Sequence, residues 1–199
     1  RFQLETHFDV ILLNYISKII NHFSGKSFNL VVPEYPISKK SLRLNCRSPM
    51  ESIAVDYAAF DASSGNIAII ELKTEPGSNR DIQDEFLETV KNEFTSKKLI
   101  EFIIKRVNHK PRNLAQAKYD FLLRYLEAND CVFLNENPVS VYKISPRNER
   151  LNEYISFKEI AVNVQIPNDH LWQEICNCLI NWNERMTVES LNKADTRPA

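Results

Sequence analysis

Residues 52–73 read SIAVDYAAFDASSGNIAIIELK, two apolar runs separated by a short polar segment. Both runs are rich in isoleucine, alanine and other apolar residues over the length of a typical strand. The Asp, Ser and Gly residues between them favour a tight reversal of the chain. We therefore predict a β-hairpin whose strands occupy residues 52–60 and 66–74.

The register of this hairpin places charged side chains together. If the reversal is centred between Ser63 and Ser64, antiparallel pairing counted outward puts Asp56 opposite Glu71. The Cβ atoms of opposed residues lie about 5 Å apart. Because side chains alternate along a strand, Lys73 projects on the same side as Glu71. Two carboxylates and one ammonium are thus predicted to converge.

Opposed carboxylates need a compensating cation, because like charges destabilise a sheet and buried charges lose hydration. Lys73 supplies one positive charge. Mg²⁺ or Mn²⁺ would supply more, since these ions prefer oxygen ligands and take few of them from protein. The ligands would be the carboxylates of Asp56 and Glu71 and the backbone carbonyl of Leu72. Such a centre suits phosphodiester hydrolysis.

At these residues the chain resembles the PD-(D/E)XK nuclease superfamily, whose core runs helix, strand hairpin, helix and strand. The resemblance implies a restriction-endonuclease-like α/β fold with a mixed central sheet, and a Mg²⁺- or Mn²⁺-dependent nuclease acting on DNA in a prokaryotic defence, repair or mobile-element setting. The resemblance also implies that Asp56 and Glu71 are the metal ligands and that Lys73 is the catalytic lysine. Glu5 matches the acidic residue that many members bring from the first helix, whereas Val55 stands where the family pattern has Pro.

The remaining patterns predict alternating helices and strands, an α/β or α+β layer fold. Apolar spacings of three and four residues indicate helices at residues 4–23, 114–126 and 170–182, and one or two more between residues 78 and 103. Strands are predicted at residues 28–32, where Pro33 and Pro36 end the run, at 139–144 and within 154–164. Residues 42–44 could continue or pair with the first strand. We expect one domain over residues 1–192 and a frayed tail at 193–199.

The composition places few limits on partners. With 199 residues, 43% hydrophobic content and a net charge of −1, the chain is predicted to be a soluble, cytoplasmic protein with no membrane segment. DNA is the expected partner, RNA stays open, and a homodimer is a further possibility. Two basic clusters could follow a phosphate backbone or form solvated faces. They are Lys39, Lys40, Arg43 and Arg47, and Lys97, Lys98, Lys105, Arg106, Lys110, Arg112 and Lys118.

Two readings compete for the hairpin site. In the first, the site is catalytic; in the second, the fold is a non-catalytic nucleic-acid- or protein-binding module in which Glu71 and Lys73 form a salt bridge. The four cysteines lack the spacing of a zinc site or a disulfide framework. Tyr119, Phe121 and both tryptophans are predicted to serve core or interface packing rather than base stacking.

Overall fold

The computed structural model describes residues 4–73, 81–109, 114–146 and 154–195. Within these ranges the chain is an α/β protein with a five-stranded mixed sheet and six helices. None of these helices is long and apolar enough to cross a membrane. In chain order the elements are α1 (Leu4–Ser24), β1 (Leu30–Ser38), β2 (Ser52–Asp61), β3 (Asn66–Leu72), α2 (Asp81–Glu93), α3 (Ser96–Val107), α4 (Leu114–Ala128), β4 (Ser140–Ser145), β5 (Tyr154–Ser156), α5 (Phe157–Asn163) and α6 (His170–Asp195).

The strands lie in the sheet in the order in which they occur in the chain. β1, β2 and β3 form an antiparallel meander, whereas β4 is parallel to β3 and β5 is parallel to β4. A parallel neighbour requires a long return connection. Here α2, α3 and α4 lie between β3 and β4 in the chain. The mixed sheet predicted from the sequence is confirmed.

The predicted hairpin is confirmed together with its register. β2 and β3 pair from Asp61 with Asn66 to Tyr57 with Ile70, the register counted from a reversal between Ser63 and Ser64. In the turn, the carboxylate of Asp61 accepts hydrogen bonds from the hydroxyl groups and backbone N–H groups of both serines. These local bonds hold the reversal at one position, so the two strands cannot slip past each other without breaking them.

Each face of the sheet carries its own hydrophobic core. On one face the strands pack against α2, α3 and α4, and we call this the first core. On the other face they pack against α1, α5 and α6, which form the second core. Ile67 and Ile69 of β3 face the first core, and the intervening Ala68 and Ile70 face the second. The nearly continuous apolar run of β3 follows from this burial on both faces.

The prediction that Pro33 and Pro36 end the first strand is wrong. β1 runs through both prolines to Ser38, which is tolerated because β1 is an edge strand and one side of its backbone needs no partner strand. Residues 42–44 form no strand, and Leu42 packs instead into the first core.

The C-terminal elements differ from the predictions in extent. The strand predicted within residues 154–164 is confirmed as the short β5, and α5 occupies most of the rest of that segment. Ser156 and Glu159 form a reciprocal capping box at the start of α5, the signal that the strand prediction overlooked. α6 continues to Asp195, into the expected tail, and residues 196–199 lie outside the described ranges.

Core packing is confirmed for Tyr119, Trp172 and Trp182. The core alternative is wrong for Phe121, and its interface alternative stays a prediction. Tyr119 is buried in the first core and Trp172 in the second, and Trp182 is half-buried against the second core. Phe121 is not a core residue, because 71% of it is exposed on α4. The core face of α4 is occupied by Tyr119, Leu122 and Leu126.

Candidate functional site

The candidate site lies where the pairing of β2 with β3 ends. Beyond the last pair, Tyr57 with Ile70, side chains bond to the neighbouring strand. The backbone N–H of Leu72 donates to Oδ2 of Asp56 at 2.6 Å. In return, the carboxylate of Glu71 accepts a hydrogen bond from the backbone of Asp56. Each strand therefore fixes the carboxylate of the other, which holds both acids at the open end of the hairpin.

Lys73 lies directly against this pair of acids. Its Nζ is 2.9 Å from Oε1 of Glu71, and both residues are buried, with 6% and 3% of their surface exposed. The backbone N–H of Lys73 donates to the carbonyl of Ile144 at 2.8 Å, which ties the segment after β3 to the end of β4. The structure thus brings together Asp56, Glu71 and Lys73, three of the residues that the sequence singled out.

The electrostatics of Glu71 indicate too little positive charge at this point. Burial and the nearby charge of Asp56 raise the pKa of Glu71 to about 7, although Lys73 acts in the opposite direction. One lysine therefore does not offset two adjacent carboxylates in a buried setting. Two carboxylates side by side are hard oxygen donors, the kind of ligand that a divalent cation prefers.

The protein supplies few ligands for such an ion. The candidates are the carboxylates of Asp56 and Glu71 and the carbonyl of Leu72. The side chain of Glu5 lies outside the described part of the chain, and α1 packs on the opposite face of the sheet from Glu71. Among the described residues no group of three or more His, Cys, Asp or Glu could hold a metal. So few protein ligands suit only an ion that keeps several of its waters, as Mg²⁺ generally does.

A second buried lysine, Lys143 on β4, was missed from the sequence. It pairs with Glu71 in the parallel register, and only 5% of its surface is exposed. Its ammonium forms an ion pair with Asp84 of α2 and lies 3.0 Å from the hydroxyl of Tyr154 on β5. Burial lowers the pKa of Lys143, but the bonds to Asp84 and Tyr154 outweigh this and raise it overall.

Lys143 could have been found from the alternation of its strand. Val139 and Val141 are buried in the first core, and Lys143 follows at the same spacing. A lysine at a core-facing position needs buried partners. Those partners come from α2 and β5, so Lys143 anchors the first turn of α2 beside the candidate site.

A cleft opens next to Asp56 at the β1 edge of the sheet. Its volume is about 330 Å³. Glu34 and Lys118 face each other across its rim, with 3.4 Å between Oε2 and Nζ. Glu34 has a left-handed backbone, with φ of +48°, at the point of β1 across from Asp56. The lining residues are Val10, Leu13, Pro33, Glu34, Asp56, Tyr57 and Lys118.

Much of the charge in the two basic clusters is engaged in ion pairs. In the first, Lys39 pairs with Glu51 and Arg43 with Glu93. In the second, three lysines form ion pairs: Lys97 with Glu136, Lys105 with Glu101 and Lys118 with Glu34. Lys98 donates to the backbone carbonyl of Glu93, and Arg106 lies over the ring of Tyr119. Lys110 and Arg112 lie outside the described residues. Of these cations, Lys118 lines the cleft beside Asp56.

All four cysteines are free thiols, in agreement with the sequence.

No protein-family model, no curated protein and no solved structure matches the chain. The interpretation of the site therefore depends on the geometry and charges of its own residues.

Proposed function

We propose that this chain is a Mg²⁺- or Mn²⁺-dependent nuclease that hydrolyses phosphodiester bonds of DNA. The observation that carries the proposal is the convergence of Asp56, Glu71 and Lys73 at the open end of one hairpin, with Glu71 and Lys73 buried. Charged groups are costly to bury, and residues with strongly shifted pKa values beside a cleft are candidates for chemistry.

The order of elements supports a restriction-endonuclease-like fold of the PD-(D/E)XK superfamily. α1 precedes the hairpin, α2 follows it, and β4 lies beside β3 as a parallel strand. This is the helix, hairpin, helix and strand order that the resemblance implies. A cytoplasmic location and a prokaryotic defence setting belong to the same proposal.

Each residue of the site has a role that follows from its chemistry. Asp56 and Glu71, with the carbonyl of Leu72, would hold the metal ion, and the N–H of Leu72 keeps the carboxylate of Asp56 in place. When bound, the ion supplies charge stabilisation and lowers the pKa of water. Lys73 is close enough to Glu71 to orient a nucleophile or to offset negative charge that develops on the phosphate.

A second candidate function is favoured by one observation. The contact of 2.9 Å between Lys73 and Glu71 is also what a purely structural salt bridge would have. On that reading the fold is a non-catalytic module that binds nucleic acid or protein. The two functions differ in their response to divalent metal, which only the nuclease requires.

The test is cleavage of plasmid and oligonucleotide DNA with Mg²⁺ or Mn²⁺. We expect wild-type protein to cleave and Asp56→Asn to lose at least about 100-fold in rate, since charge stabilisation of that order is typical of such groups. Lys73→Met should lose activity as well. Asp56→Asn keeps an oxygen that can accept the Leu72 N–H, so its fold is expected to persist.

Two exposed residues serve as matched controls. Glu127→Gln removes an acid from α4, and Lys158→Met removes an exposed lysine from α5; neither lines the cleft or belongs to a basic cluster. Both variants should cleave at the wild-type rate. Equal cleavage by wild type and Asp56→Asn, or no cleavage with either metal, would refute the proposed nuclease function. The non-catalytic binding module would then be the remaining candidate.

A further inference from the structure

Two large aromatic side chains lie exposed next to each other on α4. Phe121 is 71% exposed and Tyr125 is 40% exposed. Their rings are nearly parallel, with 7° between the planes and 6.2 Å between the centroids. Residues four apart share one face of a helix, which explains the alignment. The result is a flat, exposed aromatic surface that belongs to neither hydrophobic core.

The aromatic pair continues a line that begins at the candidate site. Lys118 lines the cleft beside Asp56. Phe121 follows three residues later and Tyr125 seven residues later, so all three lie along one side of α4. At a rise of about 1.5 Å per residue, this line extends about 10 Å along the helix axis.

Within α4, the charged residues closest around the helix to the aromatic pair are positive. At about 100° per residue, Lys118 and Arg124 flank the rings, one on each side. Asp120 and Glu127 point about 100° or more away from Phe121, around the helix. The partner of Lys118 is Glu34 at 3.4 Å, an exposed contact of low strength that a phosphate group can replace.

We propose that this side of α4 binds single-stranded DNA and directs it into the cleft at Asp56. Bases would stack on Phe121 and Tyr125, while Lys118 and Arg124 contact the phosphates. Unpaired bases are required, because the faces of bases in a duplex are already stacked on each other. The inference rests on the proposed nuclease function and adds the substrate class: a single strand, or the unpaired end of a duplex.

The test measures binding in EDTA, where no cleavage is needed. A fluorescent dT12 oligonucleotide and a blunt 12-base-pair duplex are titrated with protein and followed by anisotropy. We expect tighter binding of dT12 than of the duplex. Phe121→Leu/Tyr125→Leu should weaken dT12 binding about tenfold or more, as expected for the loss of base stacking. Both positions are exposed, so the fold is not at risk.

Two further variants separate stacking from apolar contact in general. Phe121→Trp/Tyr125→Trp keeps ring faces and should bind dT12 like the wild type. Leu171→Ala removes another exposed apolar side chain, on α6, and should also bind normally. Lys118→Ala should weaken binding and reduce its salt dependence by about one phosphate contact.

The outcomes distinguish this inference from the nuclease proposal. Unchanged dT12 binding by the double leucine variant would overturn strand binding even if the protein cleaves DNA. So would sedimentation showing that wild type self-associates and the double leucine variant does not, because the rings would then form a dimer contact. If neither the wild type nor any variant cleaves DNA, but the double leucine variant loses dT12 binding while the double tryptophan variant and Leu171→Ala keep it, strand binding stands and the nuclease proposal falls.

Discussion

Asp56 has two opposing effects on the folded chain. Its carboxylate accepts the N–H of Leu72, which satisfies a backbone donor where the strand pairing ends. Its negative charge also raises the pKa of the buried Glu71. The first effect stabilises the fold and the second destabilises it at neutral pH. Such a compromise is typical of functional groups whose charge is selected for chemistry rather than for stability.

Asp56→Asn should therefore stabilise the metal-free protein. At pH 8 in EDTA we expect the free energy of unfolding to rise by about 1 kcal/mol, because asparagine removes the charge next to Glu71 and retains an acceptor oxygen. Urea denaturation followed by circular dichroism measures the change. Glu127→Gln on exposed α4 is the control and should change little. A less stable Asp56→Asn would contradict the adjacency of the two carboxylates.

Single residues also mark where sequence reasoning stopped. Lys73 was found because it lies two positions from Glu71 on one strand, where alternation alone places both on one side. Lys143 is 70 residues further along the chain, and its partners Asp84 and Tyr154 come from two other elements. Alternation along β4 places Lys143 on the core side, but it does not identify these distant partners.

At the scale of elements, the β2–β3 turn combines local and distant constraints. Gly65 has φ of +70°, a left-handed conformation that disfavours other residues. A Cβ at this position would come within 2.0 Å of Nδ2 of Asn135, so that side chain, which donates to the carbonyl of Gly65, would have to move. The turn is thus set by its own sequence and then closed by the segment between α4 and β4.

Gly65→Ala should cost more stability than Gly25→Ala. Both glycines have a left-handed backbone, but a Cβ at Gly25 would meet nothing within 4 Å. We expect about 1 kcal/mol for Gly25→Ala and a larger loss for Gly65→Ala, because overpacking adds to the backbone strain. Urea denaturation measures both. If Gly65→Ala/Asn135→Gly does not recover part of the loss, the contact with Asn135 is not its cause.

The same turn predicts a dependence of stability on acid. Burial alone would raise the pKa of Asp61, but hydrogen bonds from Ser63 and Ser64 lower it overall. A carboxyl group with a lower pKa in the folded state stabilises the fold above its unfolded pKa, and this contribution is lost as the pH falls through the folded pKa. The stability difference between wild type and Asp61→Asn should therefore shrink from pH 6 to pH 2. A constant difference across that range would contradict the hydrogen bonds by which Ser63 and Ser64 lower the pKa of Asp61.

At the scale of the whole molecule, two cores share one sheet. Ile67 and Ile69 of β3 pack on one side and Ala68 and Ile70 on the other, so neither core can form without the same strand. Cooperative unfolding of both layers follows from this arrangement. It also places the candidate site at the edge of the first core, where Lys143 and Asp84 join the sheet to α2.

Ile103→Ala offers a test of this coupling. Ile103 of α3 is fully buried in the first core, whereas both tryptophans, Trp172 and Trp182, lie at the second. We expect a loss of about 2 to 5 kcal/mol, seen equally in tryptophan fluorescence and in circular dichroism. Ile104→Ala, half-buried on the same helix, should cost less. A shift in circular dichroism without a shift in fluorescence would mean that the two layers unfold separately.

The sequence by itself determined the hairpin, its register and the meeting of Asp56, Glu71 and Lys73. Alternation along strands and the chemistry of a short turn are local properties, and residues 52–73 contain all of them. It also determined most helix positions, because apolar spacing reports which side of a helix is buried.

Only the tertiary structure decided the rest. β1 passes through two prolines because it lies at the sheet edge, which its own residues do not reveal. Lys143 is buried because α2 and β5 bring partners to it. Phe121 is exposed because Tyr119, Leu122 and Leu126 occupy the core face of α4. In each case the deciding contact joins elements far apart in the chain, and such contacts exist only after the layers have packed.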